Sequence, residues 1–409
     1  MPPRLFALPI AVAVLVAPAA TAQAKTTKKT DATLRADLAR LARGAGGKGG
    51  FVVLDGKTGR TLAQADPDTK RPLGSTTKLL TTGAAADAFA GAARLTTTAV
   101  TTAPLDAASG TLAGDLVLVG AGDPLLDEPQ LQALADQVQA RGVKVIAGSI
   151  VGDDSAFDAQ RGGPATGGAF DLNMNGSIGA LTYARGRQAP GGPFQPDPGR
   201  AAAFRFDDVL EARGVIVRRS PKAGVATPGS AQLGVVSTPV ATVIKDINKT
   251  SDDFAAEVLA KDLVLAGGGP RPATTAAGAA AVARHARRLG ATLSPFDGSG
   301  VDPRTKGSPR QLARYVRRIR TRAAIAASLP VAGVDGTLQT RMTTGPAHRT
   351  CRAKTGSLPQ TGASALAGWC RTHGRTLVFA IQRSHVSGQP AAKAAEDAMV
   401  QRIAASRRR

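Results

Sequence analysis

The last quarter of the sequence constrains the fold most, because strand-like and helical patterns alternate there. Residues 351–357, 363–370 and 376–381 are short segments separated by turns that contain Gly or Pro. Such a series is typical of consecutive antiparallel strands. A helical pattern follows over residues 391–405. We therefore expect an antiparallel sheet flanked by helices.

Helical and hairpin patterns also occur elsewhere in the chain. Residues 31–43 carry Leu34 and Leu38 at helical spacing, and residues 51–54 and 61–64 flank a Gly-containing turn. Further helices are predicted over residues 75–89, 251–265, 274–289 and 308–325. The fold class expected from these elements is mixed α/β, of the α+β kind.

The middle of the chain has a different character. Its β-like runs are residues 116–119, 143–151 and 215–218, and its Gly- and Pro-rich loops are 162–168 and 189–199. A chain of 409 residues is long enough for two domains. We expect an inserted, mostly β or mixed domain over 95–236. Residues 25–94 and 237–409 would then form one discontinuous domain.

The first residues are typical of a secretory signal peptide. Arg4 supplies a positive charge, residues 5–16 are apolar, and Ala22-Gln23-Ala24 matches a small-x-small cleavage site. The apolar run is short for a membrane span, so an uncleaved anchor is the less favoured alternative. We predict that residues 1–24 are removed and that the protein acts outside the cytoplasm, in a periplasm or cell wall.

The chain is strongly basic, with a formal net charge of +22. In a cytosolic protein this balance would indicate nucleic acid, but export makes DNA and RNA unexpected partners. Anionic wall polymers or lipid headgroups are the counter-charges expected outside the membrane. A generic basic surface is the alternative.

Two cysteines, Cys351 and Cys370, are present in the chain. An exported protein meets an oxidising compartment, so the pair indicates one disulfide, with two free buried thiols as the alternative. The two cysteines and four histidines show no spacing typical of metal ligands, so no metal site is predicted.

A Ser-x-x-Lys motif stands at the start of the predicted helix near residue 75. Residues three apart share a helix face, which places the Lys78 amine beside the Ser75 hydroxyl. A serine hydroxyl needs such a base to act as a nucleophile. The alternative is a helix cap followed by a surface lysine.

Two further motifs follow in the chain. Lys354-Thr355-Gly356 offers a cation and a hydroxyl for a substrate carboxylate, and a glycine that permits close approach. Ser251-Asp252-Asp253 begins a predicted helix, where an N-cap serine followed by acids is the structural alternative. The order Ser-x-x-Lys, Ser-x-Asn/Asp, Lys-Thr-Gly is the catalytic set of penicillin-binding proteins and β-lactamases.

With these motifs the chain resembles the D-Ala-D-Ala carboxypeptidase/endopeptidase family, the class C low-molecular-mass penicillin-binding proteins. The matching stretches, which span nearly the whole mature chain, are Pro72-Leu73-Gly74-Ser75-Thr76-Thr77-Lys78-Leu79-Leu80-Thr81, Gly114-Asp115-Leu116, Gly122-Asp123-Pro124, Asp153-Asp154-Ser155-Ala156-Phe157, Asp297-Gly298-Ser299-Gly300, Ser308-Pro309-Arg310-Gln311-Leu312 and Ala353-Lys354-Thr355-Gly356-Ser357. The long gap between Ser75 and Ser251 also fits, since this family inserts a domain there and ordinary β-lactamases do not.

The resemblance implies a β-lactamase/transpeptidase-like catalytic domain and an exported enzyme that acts on peptidoglycan peptides, is acylated by β-lactams and uses no cofactor. Ser75 would be the nucleophile, Lys78 its base and Ser251 a proton relay. Lys354 and Thr355 would bind the substrate's terminal carboxylate, and Asp253, Gly356 and Ser357 would also line the substrate-binding site. The backbone N–H groups of Ser75 and Ser357 would form the oxyanion hole. The motifs are common to carboxypeptidases and endopeptidases.

One position departs from the family pattern. The third residue of the second motif is usually Asn, whose amide donates a hydrogen bond to substrate, whereas Asp253 in its ionised form only accepts. A carboxylate near Lys78 also favours the ammonium form, so we expect slower acylation. Two alternatives are a catalytically weakened wall-binding protein and a β-lactamase, the latter disfavoured by the long insertion.

Overall fold

The computed structural model describes residues 32–43, 46–89 and 91–406. The predicted signal peptide, residues 1–24, lies outside the described residues, as does the basic tail 407–409. Within the described part of the chain, no helix is long and apolar enough to cross a membrane.

Both ends of the chain contribute to one five-stranded antiparallel sheet. The strand order is β12-β13-β14-β1-β2. The strands are β1 (Lys48–Asp55), β2 (Thr61–Ala65), β12 (Cys351–Leu358), β13 (Ala363–Thr372) and β14 (Arg375–Ser384). The three C-terminal strands and the β1–β2 hairpin confirm the sequence predictions.

This sheet is buried on both faces. Along β1, Phe51 and Val53 pack in one apolar cluster with α1 (32–43) and α10 (Gln389–Ala404). Val52 and Leu54 point the other way, into the apolar cluster of a second helical layer. The period-two alternation of a strand therefore places helices on both sides, as the sequence predicts.

The second helical layer carries the motif residues Lys78 and Asp253. Its helices are α2 (Lys78–Ala88), α5 (Val240–Thr250), α6 (Asp253–Ala266), α7 (Thr275–Arg288), α8 (Pro309–Ile319) and α9 (Ala323–Ser328). A small ladder of β3 (Arg71–Pro72) and β11 (Lys306–Gly307) lies near the start of α2. The single helix predicted over 308–325 is wrong in extent: Arg322 takes an extended backbone and separates α8 from α9.

The middle of the chain builds a second, seven-stranded sheet. Its strands are β4 (Arg94–Thr101), β5 (Leu105–Asp106), β6 (Thr111–Leu112), β7 (Leu116–Gly120), β8 (Val145–Asp153), β9 (Ile216–Ala223) and β10 (Ala231–Pro239). β8 runs parallel to β6, β7 and β9, whereas β4 is antiparallel to β7 and β10. Helices α3 (Glu128–Ala140) and α4 (Pro198–Glu211) share its apolar cluster. This region is mixed α/β; the domain bounds 95 and 236 stay a prediction.

Candidate active site

Ser75 lies in a tight turn between β3 and α2. Residues Gly74–Thr77 form a 3-10 turn, and α2 begins only at Lys78. Gly74 has φ +51°, and a Cβ there would lie 3.0 Å from the backbone N of Ser357. A glycine is therefore required, because it permits both the left-handed backbone and the close approach of β12.

The Lys78 side chain is fully buried behind Ser75. Its Nζ lies 2.9 Å from Ser75 Oγ, 2.5 Å from Asp253 Oδ1 and 2.9 Å from the carbonyl oxygen of Ser299. These three acceptors match the three hydrogens of an ammonium group. The structure thus joins the first two motifs at one nitrogen, and adds a backbone carbonyl from the Asp297-Gly298-Ser299-Gly300 segment.

The second motif begins at a break between two helices. Ser251 ends α5 in a left-handed conformation, with φ 66°. The N-cap of α6 is Asp252, which accepts a 2.8 Å hydrogen bond from the N–H of Ala255, so the N-cap role considered for Ser251 is wrong. The Ser251 hydroxyl instead faces β12.

A residue from the middle of the chain anchors this break. The Arg185 guanidinium forms a bidentate ion pair with the Asp252 carboxylate and lies 4.8 Å from the centre of the Phe254 ring. No local sequence pattern predicted this contact. It fixes the start of α6, and with it the position of Asp253.

The third motif lies on β12. Lys354 is fully buried, and its Nζ donates to Ser251 Oγ at 2.8 Å. Burial lowers the pKa of Lys354 well below its usual range, and the positive charge of Lys78 lowers it further while Asp253 opposes this. The Thr355 hydroxyl lies 3.0 Å from Thr337 Oγ1.

Close packing holds β12 against the turn at Ser75. A Cβ at Gly356 would lie 2.7 Å from the carbonyl oxygen of Leu73, so only glycine fits. At the start of the strand, Cys351 pairs directly with Cys370 of β13, and the two form a disulfide. Hydrogen bonds connect Ser75 and Asp253 to Lys78, and Ser251 to Lys354. The structure thus places these five predicted site residues close together.

Sequence analysis missed one buried acid behind the site, Glu257, whereas a second, Asp297, lies in a segment that carried the family resemblance. Glu257 follows Asp253 by one turn of α6, a spacing that places both on one helix face. Asp297 begins the segment that supplies the Ser299 carbonyl. Within residues 32–43, 46–89 and 91–406, no group of His, Cys, Asp or Glu is placed to hold a metal ion.

Comparisons with known proteins match most of the chain. The family model described as the D-Ala-D-Ala carboxypeptidase 3 (S13) family matches residues 32–174 and 194–406. A D-alanyl-D-alanine carboxypeptidase of Actinomadura sp. (strain R39) is 28% identical over 448 residues, covering 88% of this chain and 81% of that protein. Carboxypeptidase DacB of Mycolicibacterium smegmatis (strain ATCC 700084 / mc(2)155) is 29% identical over 384 residues, covering 85% and 78%.

Solved structures share the fold. Penicillin binding protein 4 (dacB) from Haemophilus influenzae superposes with a TM-score of 0.78 at 20% identity, covering 90% of this chain and 98% of that one. A penicillin G-acylated predatory endopeptidase from Bdellovibrio bacteriovorus superposes with a TM-score of 0.55 at 16% identity, covering 87% and 90%. The family resemblance seen in the motifs is confirmed: this chain belongs to the D-Ala-D-Ala carboxypeptidase 3 (S13) family of serine-type hydrolases.

Proposed function

We propose that the protein is an exported D-alanyl-D-alanine carboxypeptidase/endopeptidase that forms an acyl-enzyme on Ser75 and is acylated there by β-lactams. The observation that carries the proposal is the 2.9 Å contact between Lys78 Nζ and Ser75 Oγ in a buried setting. The name of the Actinomadura relative, a D-alanyl-D-alanine carboxypeptidase, supports the substrate class, and that of the Mycolicibacterium relative supports carboxypeptidase activity.

The acylation step follows from the contacts of Lys78. In its neutral form Lys78 donates its two hydrogens to Asp253 and to the Ser299 carbonyl, and its lone pair accepts the Ser75 proton. The Ser75 oxygen then bonds to the D-Ala carbonyl carbon. The N–H groups of Ser75 and Ser357 stabilise the oxyanion.

The leaving group is released on the side of Ser251. As the C–N bond breaks, the Ser251 hydroxyl gives a proton to the departing amine and is resupplied through Lys354, 2.8 Å away. Water then attacks the ester carbonyl carbon and gives a proton to Lys354 through Ser251. As the ester C–O bond breaks, Lys78 returns its proton to the Ser75 oxygen, so both lysines regain their starting protonation states. Lys354 and Thr355 bind the substrate's terminal carboxylate, whose charge favours the cationic form of Lys354 that burial disfavours.

Release of D-Ala from a peptide ending in D-Ala-D-Ala tests this proposal. We expect release by the wild-type protein and none by Ser75→Ala. A folded wild-type protein that releases no D-Ala from any such peptide would overturn the proposed carboxypeptidase activity.

A second candidate is a wall-binding protein with weakened catalysis. The ion pair between Lys78 and Asp253 supports it, because this pair occupies the amine that must act as base. It predicts binding to wall material with little peptide cleavage and little penicillin capture.

We also propose that residues 1–24 are a signal peptide and that 95–236 form an inserted domain. The positive charge of Arg4 and the small-x-small site support a signal peptide. The disulfide also supports export, since disulfides persist outside the cytoplasm. The seven-stranded sheet, with strands between Arg94 and Pro239, supports the inserted domain.

A basic groove beside the site supports binding to anionic wall polymers. It has a volume of about 430 Å³, and its lining includes Lys48, Lys70, Arg71, Lys306 and His385. We expect salt-sensitive binding to poly(glycerol phosphate). It should weaken in the triple variant Lys48→Ala/Lys70→Ala/Lys306→Ala more than in a triple variant of the exposed lysines Lys57, Lys144 and Lys245. Equal weakening would indicate a generic basic surface instead.

A further inference from the structure

Glu257 is a fully buried carboxyl that contacts the loop behind Lys78. Its Oε1 accepts hydrogen bonds from the N–H groups of Gly298 at 3.0 Å and Ser299 at 2.7 Å, and its Oε2 lies 3.1 Å from the Gly298 nitrogen. Glu257 therefore holds the backbone of the segment whose carbonyl contacts Lys78.

Asp297 acts on the same segment from the other side. Its Oδ1 accepts the N–H of Gly300 at 2.9 Å, and its Oδ2 accepts the N–H of Asp302 at 2.7 Å. The Gly300 N–H belongs to the same peptide unit as the Ser299 carbonyl that accepts from Lys78 at 2.9 Å. One peptide group thus connects the Asp297 carboxyl to the Lys78 amine.

The two carboxyls are electrostatically coupled. Burial raises the pKa of Asp297, and the charge of Glu257 raises it further, to about 7. Burial also raises the pKa of Glu257, while the hydrogen bonds of Gly298 and Ser299 and the charge of Lys78 oppose this. Around neutral pH the pair therefore changes its total charge near Lys78.

We propose that Glu257 and Asp297 are positioning residues that set, through the Ser299–Gly300 peptide and their charge, the orientation of the Lys78 amine and the pH dependence of Ser75 acylation. The inference rests on the proposed acylation of Ser75. Under this inference the Asp297-Gly298-Ser299-Gly300 segment is more than a turn, because its Ser299 carbonyl orients the Lys78 amine.

Charged groups other than Glu257 and Asp297 also lie around Lys78. Asp253, on the same face of α6 as Glu257, contacts Lys78 directly. Lys354 on β12 contributes a cation when protonated, and Arg304 is paired with Asp302 at the end of the loop. Removing one buried negative charge from this group makes the charge balance around Ser75 and Lys78 more positive, which favours transfer of the Ser75 proton at lower pH.

The rate of acylation by a fluorescent penicillin, measured from about pH 5 to about pH 10, tests the inference. In Glu257→Gln we expect the midpoint of the rising limb to move to lower pH by roughly one unit. Glu257→Asp keeps the charge and should keep the midpoint. Glu396→Gln is the matched control, because Glu396 is equally buried but lies on α10 and bonds to Ser364 and Arg341.

A purely structural role gives a different result. In that case Glu257→Gln lowers the rate by one factor at every pH and leaves the midpoint unmoved, which would overturn the inference. If Glu257→Gln does not fold, Asp297→Asn decides, since its midpoint should shift in the same direction. A wild-type protein that forms no adduct would refute the proposed function; an adduct with unmoved midpoints would refute only this inference.

Discussion

The Nζ atom of Lys78 lies 2.5 Å from Oδ1 of Asp253, a residue 175 positions further along the chain. The lysine is fully buried, and the aspartate side chain is 27% exposed. This ion pair occupies the position where a family Asn would form a neutral hydrogen bond. A carboxylate there can only accept from the amine, and its negative charge opposes the use of Lys78 as a neutral base for Ser75.

Asp253→Asn should therefore speed acylation. We expect labelling by a fluorescent penicillin to rise about tenfold, equivalent to about 1.4 kcal/mol of barrier. Asp208→Asn, at an exposed carboxylate of α4, serves as control and should not change the rate. An unchanged or slower rate in Asp253→Asn would show that the carboxylate does not restrain Lys78.

The Thr355 hydroxyl should matter for substrates with a free terminal carboxylate. Thr355→Val keeps the side-chain shape and removes the donor, which should lower kcat/KM for a D-Ala-D-Ala peptide by roughly tenfold. The same peptide with an amidated terminus should lose much less. Equal losses for both peptides would contradict carboxylate binding by Thr355.

The Cys351–Cys370 disulfide should stabilise the edge of the sheet that carries Lys354. The two cysteines are 19 positions apart, and closing such a loop contributes about 3 kcal/mol. The double variant Cys351→Ala/Cys370→Ala should lose about that much free energy of unfolding in urea. Peptide mapping under non-reducing conditions should find the pair linked; two free thiols in exported protein would refute it.

Buried Asp297 should make the stability depend on pH. Its pKa rises from 3.8 to about 7 in the folded protein. Between these values the unfolded chain has lost the proton and the folded protein retains it, so the free energy of unfolding falls as pH rises. The total loss of free energy of unfolding is at most about 4 kcal/mol, and no further loss occurs above about pH 7.

Urea unfolding of the wild type and of Asp297→Asn at several pH values measures this effect. The stability of the wild type relative to the variant should decline from about pH 4 to about pH 7. A relative stability that stays constant across this range would show that Asp297 is not shifted in the folded protein.

Local patterns predicted the elements that carry the motifs. The strand-like segments of β12 and β14, bounded by turns, and the Ser-x-x-Lys spacing depend on neighbouring residues only, so the sequence contains them directly. Sequence analysis also expected Asp253 to lie near Lys78, because the family resemblance places both residues in one site.

Long-range contacts were not predictable in the same way. The Arg185–Asp252 ion pair joins residues 67 positions apart that no motif links. The hydrogen bonds that Glu257 accepts from the Asp297 loop depend on the packing of α6 against that loop, which the helical pattern alone does not predict. The break at Arg322 depends on a backbone torsion angle that the apolar periodicity of 308–325 does not reveal.

The intact mass of the protein after exposure to penicillin tests the central claim most directly. We predict one covalent adduct on the wild-type protein, the same adduct on Ser109→Ala, a control at an exposed turn, and none on Ser75→Ala. An adduct that persists in Ser75→Ala, or a folded wild-type protein that forms none, would contradict the assignment of Ser75 as nucleophile.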